Sequence, residues 1–169
     1  MKSTTSQYID VRKSPIHGIG IYAKKLIPKG AKIIQYVGEQ ITKKESDRRA
    51  DIPLGENKEN PELGAVYIFT LNSRYDIDGH VKYNTARYIN HSCRPNCESD
   101  ILKGEIWIIS LSDIPKGTEL SYNYGYDLDS YKEHPCRCGH YNCVGYILGE
   151  DYWPAFKREL KKTNRINRK

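Results

Sequence analysis

Arg87-Tyr-Ile-Asn90-His91-Ser-Cys93-Arg-Pro-Asn-Cys97, taken with Cys136-Arg137-Cys138-Gly-His-Tyr-Asn-Cys143, decides how this chain is organised. A tetrahedral zinc site needs four soft ligands brought to one point. The Cys-x-Cys-x4-Cys run supplies three thiols from one short loop, so the fourth must come from elsewhere. Either Cys93 or Cys97 is that ligand, and a redox pair between these two is the rival reading. A metal bridging two distant loops ties the chain back on itself. It also fixes the polar groups beside Cys93, namely Asn90 and His91, against whatever the second loop covers, which is how a binding site acquires a lid.

The rest of the composition bounds this picture. A chain of 169 residues is long enough to bury roughly 70% of its unfolded surface around a single core, so one domain is expected. A monomer is expected as well. Five cysteines, with no secretory apolar segment and no run of membrane length, point to a reducing, intracellular compartment and to no membrane partner. The net charge is +6, and residues 157–169 carry all of it, with seven cations (Lys157, Arg158, Lys161, Lys162, Arg165, Arg168, Lys169) against Glu159. The basicity is a tail and not a face. A solvated helix end is its plain reading, and contact with nucleic acid its sharper one.

Short β-type runs dominate the pattern: Tyr8 to Arg12, Ile19 to Ala23, Ile33 to Val37, Val66 to Leu71 and Ile106 to Leu111. Ile27-Pro-Lys-Gly30 and Ile114-Pro-Lys-Gly117 form a two-copy repeat, each leading into a strand-like segment. Thr42-Lys-Lys-Glu45 reads as a capping box that opens a short helix through about Arg49, after which Asp51 to Leu63 reads as a variable insert. A second helix is predicted from Pro154 to about Lys162, with Trp153, Phe156 and Leu160 as a stripe packed on the core.

Five blocks in register resemble the SET-domain family of protein-lysine methyltransferases, over a span from about Tyr8 to Gly145. They are His17-Gly18-Ile19-Gly20-Ile-Tyr22, Tyr36-Val-Gly-Glu39, the Asn-His-Ser-Cys block from Arg87 to Cys97, Glu119-Leu-Ser-Tyr122-Asn-Tyr124-Gly-Tyr126-Asp, and Cys136 to Cys143. The last is similar to the zinc-binding tail called post-SET. The resemblance implies a mainly β, SET-type fold of the β-clip class with short helices, in which the segment around Tyr122 threads the Asn90 loop to form a pseudoknot-like site. It divides the chain into a SET domain at 8–128 with a variable insert at about 43–64, a post-SET zinc loop at 132–148, and a C-terminal helix and basic tail at 150–169.

The chemistry so implied is transfer of a methyl group from S-adenosylmethionine to a lysine of a histone or other basic protein. A lysine amine is charged at pH 7, and removing its proton costs about 4.6 kcal/mol before it can attack. An apolar channel disfavours the ammonium, and hydroxyls at its end orient the amine, which suits a chain with fourteen tyrosines and two phenylalanines. By resemblance, Tyr124 takes the catalytic role, Tyr122 occupies the product-specificity position, and Tyr36 lines the channel opposite. Also by resemblance, His17, Ile19, Tyr67, Asn90, His91 and Arg137 contact the cofactor. Gly18 and Gly20 join them as positions where backbone can approach a ligand closely. The family pattern selects Cys93 with Cys136, Cys138 and Cys143 as structural zinc ligands, leaving Cys97 a free, buried thiol.

Two positions depart from the family pattern. Tyr83 stands where glycine commonly precedes the asparagine matching Asn84, and Asn123 replaces an aspartate common between the two tyrosines. A second class of function is a catalytically idle, zinc-dependent module that binds nucleic acid or chromatin.

Overall fold

The computed structural model describes residues 4–57, 67–129 and 131–166. β1 (Ile9–Lys13) and β2 (Ile19–Ala23) form an antiparallel hairpin. β3 (Lys32–Tyr36) pairs with β9 (Glu105–Ser110), which pairs in turn with β8 (Cys97–Leu102). A third sheet runs β4 (Glu39–Thr42), β6 (Tyr75–Asp78), β5 (Ile68–Thr70). The smallest sheet joins β7 (Asn90–His91) to β10 (Ser121–Tyr122) in parallel, Ser121 opposite Asn90 and Tyr122 opposite His91. The molecule is mostly strand, as expected. Among the described residues no helix is long and apolar enough to cross a membrane.

The core follows from period-2 alternation, broken in β3, where a register shift lets both Ile33 and Ile34 turn inward. Ile106, Ile108 and Ser110 of β9 turn inward with Ile21 and Ala23 of β2 and Ile33, Ile34 and Tyr36 of β3. The two Ile-Pro-Lys-Gly turns meet each other: Ile27 and Ile114 exchange backbone hydrogen bonds of 2.9 and 2.8 Å. Each turn closes on a glycine with positive φ, +75° at Gly30 and +86° at Gly117. The repeat is therefore two copies of one turn paired across the core. Beyond the five expected runs the chain forms β4, β6 and β8, whose polar or exposed positions blur the alternation, and the very short β7 and β10.

Both helices differ from expectation. α1 (Lys43–Asn57) begins as the capping box requires, with Thr42 Oγ1 accepting the Glu45 N–H at 3.3 Å, but continues well past Arg49 and through Pro53. Proline's fixed φ is a helical value, and its cost is one backbone bond and local crowding, which a helix anchored by tertiary contacts tolerates. Those contacts are ionic: Arg49 reaches Glu39 and Asp78 at 2.7 Å and Lys43 pairs with Asp76, while Arg49 also meets Glu45 one turn back in α1 at 2.8 Å. Residues 58–64 of the expected insert lie outside the described residues.

α2 (Trp153–Ile166) starts with Pro154 in its first turn. Phe156 is buried against the ring edges of Tyr131 and Tyr146, and Trp153 donates to the Leu148 carbonyl at 3.2 Å. Leu160, expected on the same stripe, is instead 45% exposed; among the described side chains the burial of this face ends with Phe156. Tyr131, Leu148 and Phe156 thus make a small second core that carries the last quarter of the chain, separate from the main one.

Candidate functional site

The parallel contact of β7 with β10 brings three distant segments to one point. Asn90 is buried, and its amide donates to Glu119 Oε1 at 2.9 Å, to Ser14 Oγ at 3.1 Å and to the Ile19 carbonyl at 3.2 Å. Glu119 also accepts the Ser14 hydroxyl at 2.7 Å and the Tyr22 hydroxyl at 2.9 Å. Here the reason for Gly20 appears. A Cβ at residue 20 would lie 2.4 Å from Glu119 Oε1, so the missing side chain makes room for this carboxylate. Gly18 has open space around it and a φ of +45°, the demand of a turn.

Beside this junction lies a cavity of about 380 Å³. Of the residues singled out from the sequence, His17, Tyr36, Tyr67, Asn90, His91, Tyr122, Tyr124, Cys136 and Arg137 line it, whereas Gly18, Ile19 and Gly20 stand off its wall. Phe69, Arg87, Tyr126 and His134 line it too and were not singled out. Tyr126 was legible as the next alternate position after Tyr122 and Tyr124. His134 carried no signal, since only the folding of the second loop brings it over Tyr126.

One wall is a continuous run of rings. Centroid separations are 4.5 Å for Tyr36 and Phe69, 5.6 Å for Phe69 and Tyr122, 4.9 Å for Tyr122 and Tyr124, and 6.0 Å for Tyr124 and Tyr126. His134 then meets Tyr126 edge-on at 4.7 Å. Two hydroxyls on this wall donate to backbone: Tyr124 to the Ile89 carbonyl at 2.9 Å and Tyr36 to the Tyr67 carbonyl at 2.8 Å. Gly79 gives Tyr36 its place, because a Cβ there would sit 2.2 Å from the Tyr36 hydroxyl. Burial raises the pKa of Tyr36, Tyr122 and Tyr124 above the ordinary tyrosine value and pushes Tyr126 up to about 12. All four are therefore neutral phenols near pH 7.

The four thiols of Cys93, Cys136, Cys138 and Cys143 lie within 4.8 Å of one another, with Cys93 Sγ 3.8 Å from Cys136 Sγ and 3.7 Å from Cys143 Sγ. Four sulfurs about 2.3 Å from one tetrahedral zinc stand about 3.8 Å apart, so this donor set fits that ion. The hydrogen bond from Cys136, with His91 beside it, pulls the Cys93 thiol well below its ordinary value against the opposing effect of burial. Cys97 is elsewhere, packed in the main core, and burial pushes its thiol up to about 12.

A family model described as SET domain matches residues 18–125. The chain belongs to the SET domain family. It is 38% identical over 136 residues to human "Histone-lysine N-methyltransferase 2D", covering 78% of this chain and 2% of that protein. It is also 38% identical over 141 residues to "Histone-lysine N-methyltransferase, H3 lysine-4 specific" of Chaetomium globosum, 80% of this chain and 13% of that one. With "Histone-lysine N-methyltransferase trithorax" of Drosophila melanogaster it shares 36% identity over 151 residues, 87% and 4% of the two chains. This SET domain chain thus spans only a small part of the curated relatives it matches.

Both departures from the family pattern have local partners. Asn84 is fully buried, donating to the Gly79 carbonyl at 3.2 Å and accepting the Val37 N–H at 3.4 Å, while Tyr83 lends its carbonyl to the Thr4 N–H at 2.8 Å. Asn123 donates to the Leu148 carbonyl at 3.3 Å and accepts the Gly125 N–H at 2.9 Å. An aspartate carboxylate lacks the donor for the first of these bonds, so the amide ties the SET strand to the second loop.

The thiol geometry sets an expected outcome for metal analysis. One zinc per chain is expected, lost in Cys138→Ser and retained in Cys97→Ser. Equal loss from both variants would place the fourth ligand at Cys97 instead.

Proposed function

We propose that this SET domain is a protein-lysine N-methyltransferase that uses S-adenosylmethionine to methylate a histone or another basic protein inside the cell. The observation that carries this reading is the tyrosine-rich wall running from the Asn90–His91 junction into a cavity that the second loop closes. A volume of about 380 Å³ is in the range of small-ligand pockets. Arg87 on its wall donates to the Tyr88 hydroxyl at 2.7 Å and makes no ion pair among the described residues, so its positive charge suits a ligand that carries a carboxylate. When bound, S-adenosylmethionine supplies an electrophilic methyl group on a sulfonium.

In this reading His17, Tyr67, Asn90, His91 and Arg137 hold the cofactor, and Tyr36, Phe69, Tyr122, Tyr124 and Tyr126 form the lysine channel. Ile19 contributes backbone through the carbonyl that anchors Asn90, and Gly18 and Gly20 shape the adjoining turn. The ring wall desolvates the ammonium and so favours loss of its proton. Because the Tyr124 hydrogen is committed to the Ile89 carbonyl, the hydroxyl oxygen faces the channel as an acceptor that orients the amine. The four cysteines hold a structural zinc that keeps the lid in place.

Tyr124→Phe removes that oxygen without changing ring volume. Methyl transfer to a peptide substrate should fall on the order of 10²-fold, with cofactor binding by calorimetry unchanged. Since burial holds the Tyr124 proton on beyond the ordinary range, the rise of rate with pH follows the substrate lysine alone. Its midpoint should therefore stay put in the variant, and near-native turnover would remove Tyr124 from the mechanism.

Tyr122 limits how many methyl groups the nitrogen can carry. Its phenol is buried in the wall against Phe69 and Tyr124, and the extra space left by Tyr122→Phe should shift product toward higher methylation. About 1.4 kcal/mol changes the product ratio tenfold. Intact-mass analysis of a single-lysine peptide checks this, and an unchanged distribution would sink the assignment.

The basic tail is proposed to attract the nucleic acid that accompanies such a substrate. Lys157, Arg158 and Lys161 are exposed on α2, and the remaining cations lie beyond the described side chains. Deleting residues 163–169 should leave free-peptide turnover nearly unchanged and flatten the salt dependence of nucleic-acid binding, by about 0.9 in logarithmic slope for each phosphate no longer neutralised. The same slope in both proteins would make the tail a merely solvated end.

A further inference from the structure

We propose that the His91 imidazole bridges the zinc-binding sulfur of Cys93 and the backbone of Tyr124, a positioning residue that ties zinc occupancy to the placement of the tyrosine. The proposal rests on the zinc and methyltransferase readings above and gives the His91 side chain a role separate from cofactor contact.

Four atoms define the bridge. His91 Nδ1 accepts the Tyr124 backbone N–H at 3.2 Å, and His91 Nε2 lies 3.6 Å from Cys93 Sγ. A ring nitrogen that accepts a hydrogen bond carries no proton, so the ring hydrogen is on Nε2. That hydrogen points to the sulfur. The opposite tautomer would set two N–H donors face to face across 3.2 Å and turn a bare nitrogen toward a zinc thiolate, which has no hydrogen to give. Only one proton arrangement satisfies the backbone amide, the ring and the sulfur together.

The surroundings hold the ring in that pose. His91 is 4% exposed and Cys93 1% exposed, so bulk water competes little for either bond. β7 ends at His91 and the chain bends at Cys93, which leaves the Cys93 sulfur beside the imidazole. The Tyr124 ring packs edge-on to the imidazole at 5.4 Å, so the residue whose amide is held also presses on the ring that holds it. An N–H donated to a metal thiolate disperses its charge and orients it, and removing such a partner typically weakens metal binding about 10–100-fold. Conversely, a Cys93 freed from zinc no longer fixes the imidazole, and Tyr124 is left without the acceptor that anchors its backbone.

Two substitutions separate the halves of the bridge. His91→Asn puts an oxygen near Nδ1 and keeps an acceptor for Tyr124, but leaves nothing to donate to sulfur. His91→Gln puts an N–H near Nε2 and keeps the donor. In a competition titration against a chromophoric chelator, His91→Asn should bind zinc about 10–100-fold more weakly than wild type. His91→Gln should bind close to wild type. Long-range proton–nitrogen NMR of the zinc-loaded wild-type chain, which needs no variant to fold, should find the His91 proton on Nε2.

A proton on Nδ1, or wild-type zinc affinity in His91→Asn, overturns the bridge. A wild-type chain without zinc overturns the four-cysteine reading and the bridge with it. Absence of methyl transfer by a zinc-loaded wild type counts against the enzymatic reading, while the titration and the tautomer still decide the bridge.

Discussion

Everything at the site depends on a parallel strand pair only two residues long. Backbone hydrogen bonds alone cannot hold β7 against β10, because so short a pair orders its residues for very few bonds. Side chains take over. Asn96 donates to the Glu119 carbonyl at 2.8 Å and accepts the Ser121 N–H at 2.9 Å, and the Ser92 N–H reaches the Tyr122 carbonyl at 3.2 Å. Asn90 and His91 then face opposite ways, the first into the Ser14 and Glu119 cluster, the second toward Tyr124 and Cys93. Removing one member leaves buried donors without acceptors, at about 1–3 kcal/mol each. The crossing is held by mutual satisfaction of polar groups, which demands a single geometry, where apolar packing alone would accept several.

The second loop depends on the first in a different way. Its own apolar support is the cluster of Tyr131, Leu148 and Phe156, far smaller than the main core. A zinc site contributes on the order of 10 kcal/mol, comparable to the stability of a whole domain. The proposed zinc, shared between Cys93 of the SET body and the three cysteines of the loop, would then be what keeps the lid in place. Asn123 adds a direct tie by donating to the Leu148 carbonyl, and Trp153 donates to that same carbonyl from the other side. One carbonyl in the small core thus receives a bond from the SET strand and another from α2.

Strand content and a thiol cluster joining two loops were legible, because local alternation and cysteine spacing report them directly. Spacing left Cys93 and Cys97 equally open, and only the resemblance to a family chose the residue that the structure brings to the other three thiols. β8 was not legible, since Glu98 to Ile101 are exposed along a polar edge and carry no inward pattern. Its signal was the turn: Lys103 and Gly104 both have positive φ, 54° and 80°, in a two-residue hairpin loop of the kind a Gly-containing pair favours. Gly20 was read as a place where backbone meets a ligand, and the structure gives its space to Glu119. A glycine says that something comes close but never says what. Leu160 failed for a related reason: helical periodicity shows which face is apolar, and only the path of α2 decides how far along the body that face extends.

Hydrogen-bond satisfaction explains why the ring wall is built from tyrosine more than phenylalanine. A phenol buried in an aromatic wall must satisfy its hydrogen, and the nearest acceptors are main-chain carbonyls: Ile89 for Tyr124 and Tyr67 for Tyr36. Once those bonds form, each hydroxyl can no longer donate into the channel and offers only lone pairs there. Burial raises the pKa of both groups, so neither becomes a phenolate that would attract and retain a charged amine. In the proposed reaction the lysine must arrive charged and react neutral. A channel of neutral acceptors suits both demands, since it can hold an N–H of either form while the surrounding rings disfavour the charge. The Ile89 carbonyl immediately precedes Asn90, so in the proposed channel the crossing that fixes Asn90 and His91 would also direct the Tyr124 hydroxyl as an acceptor.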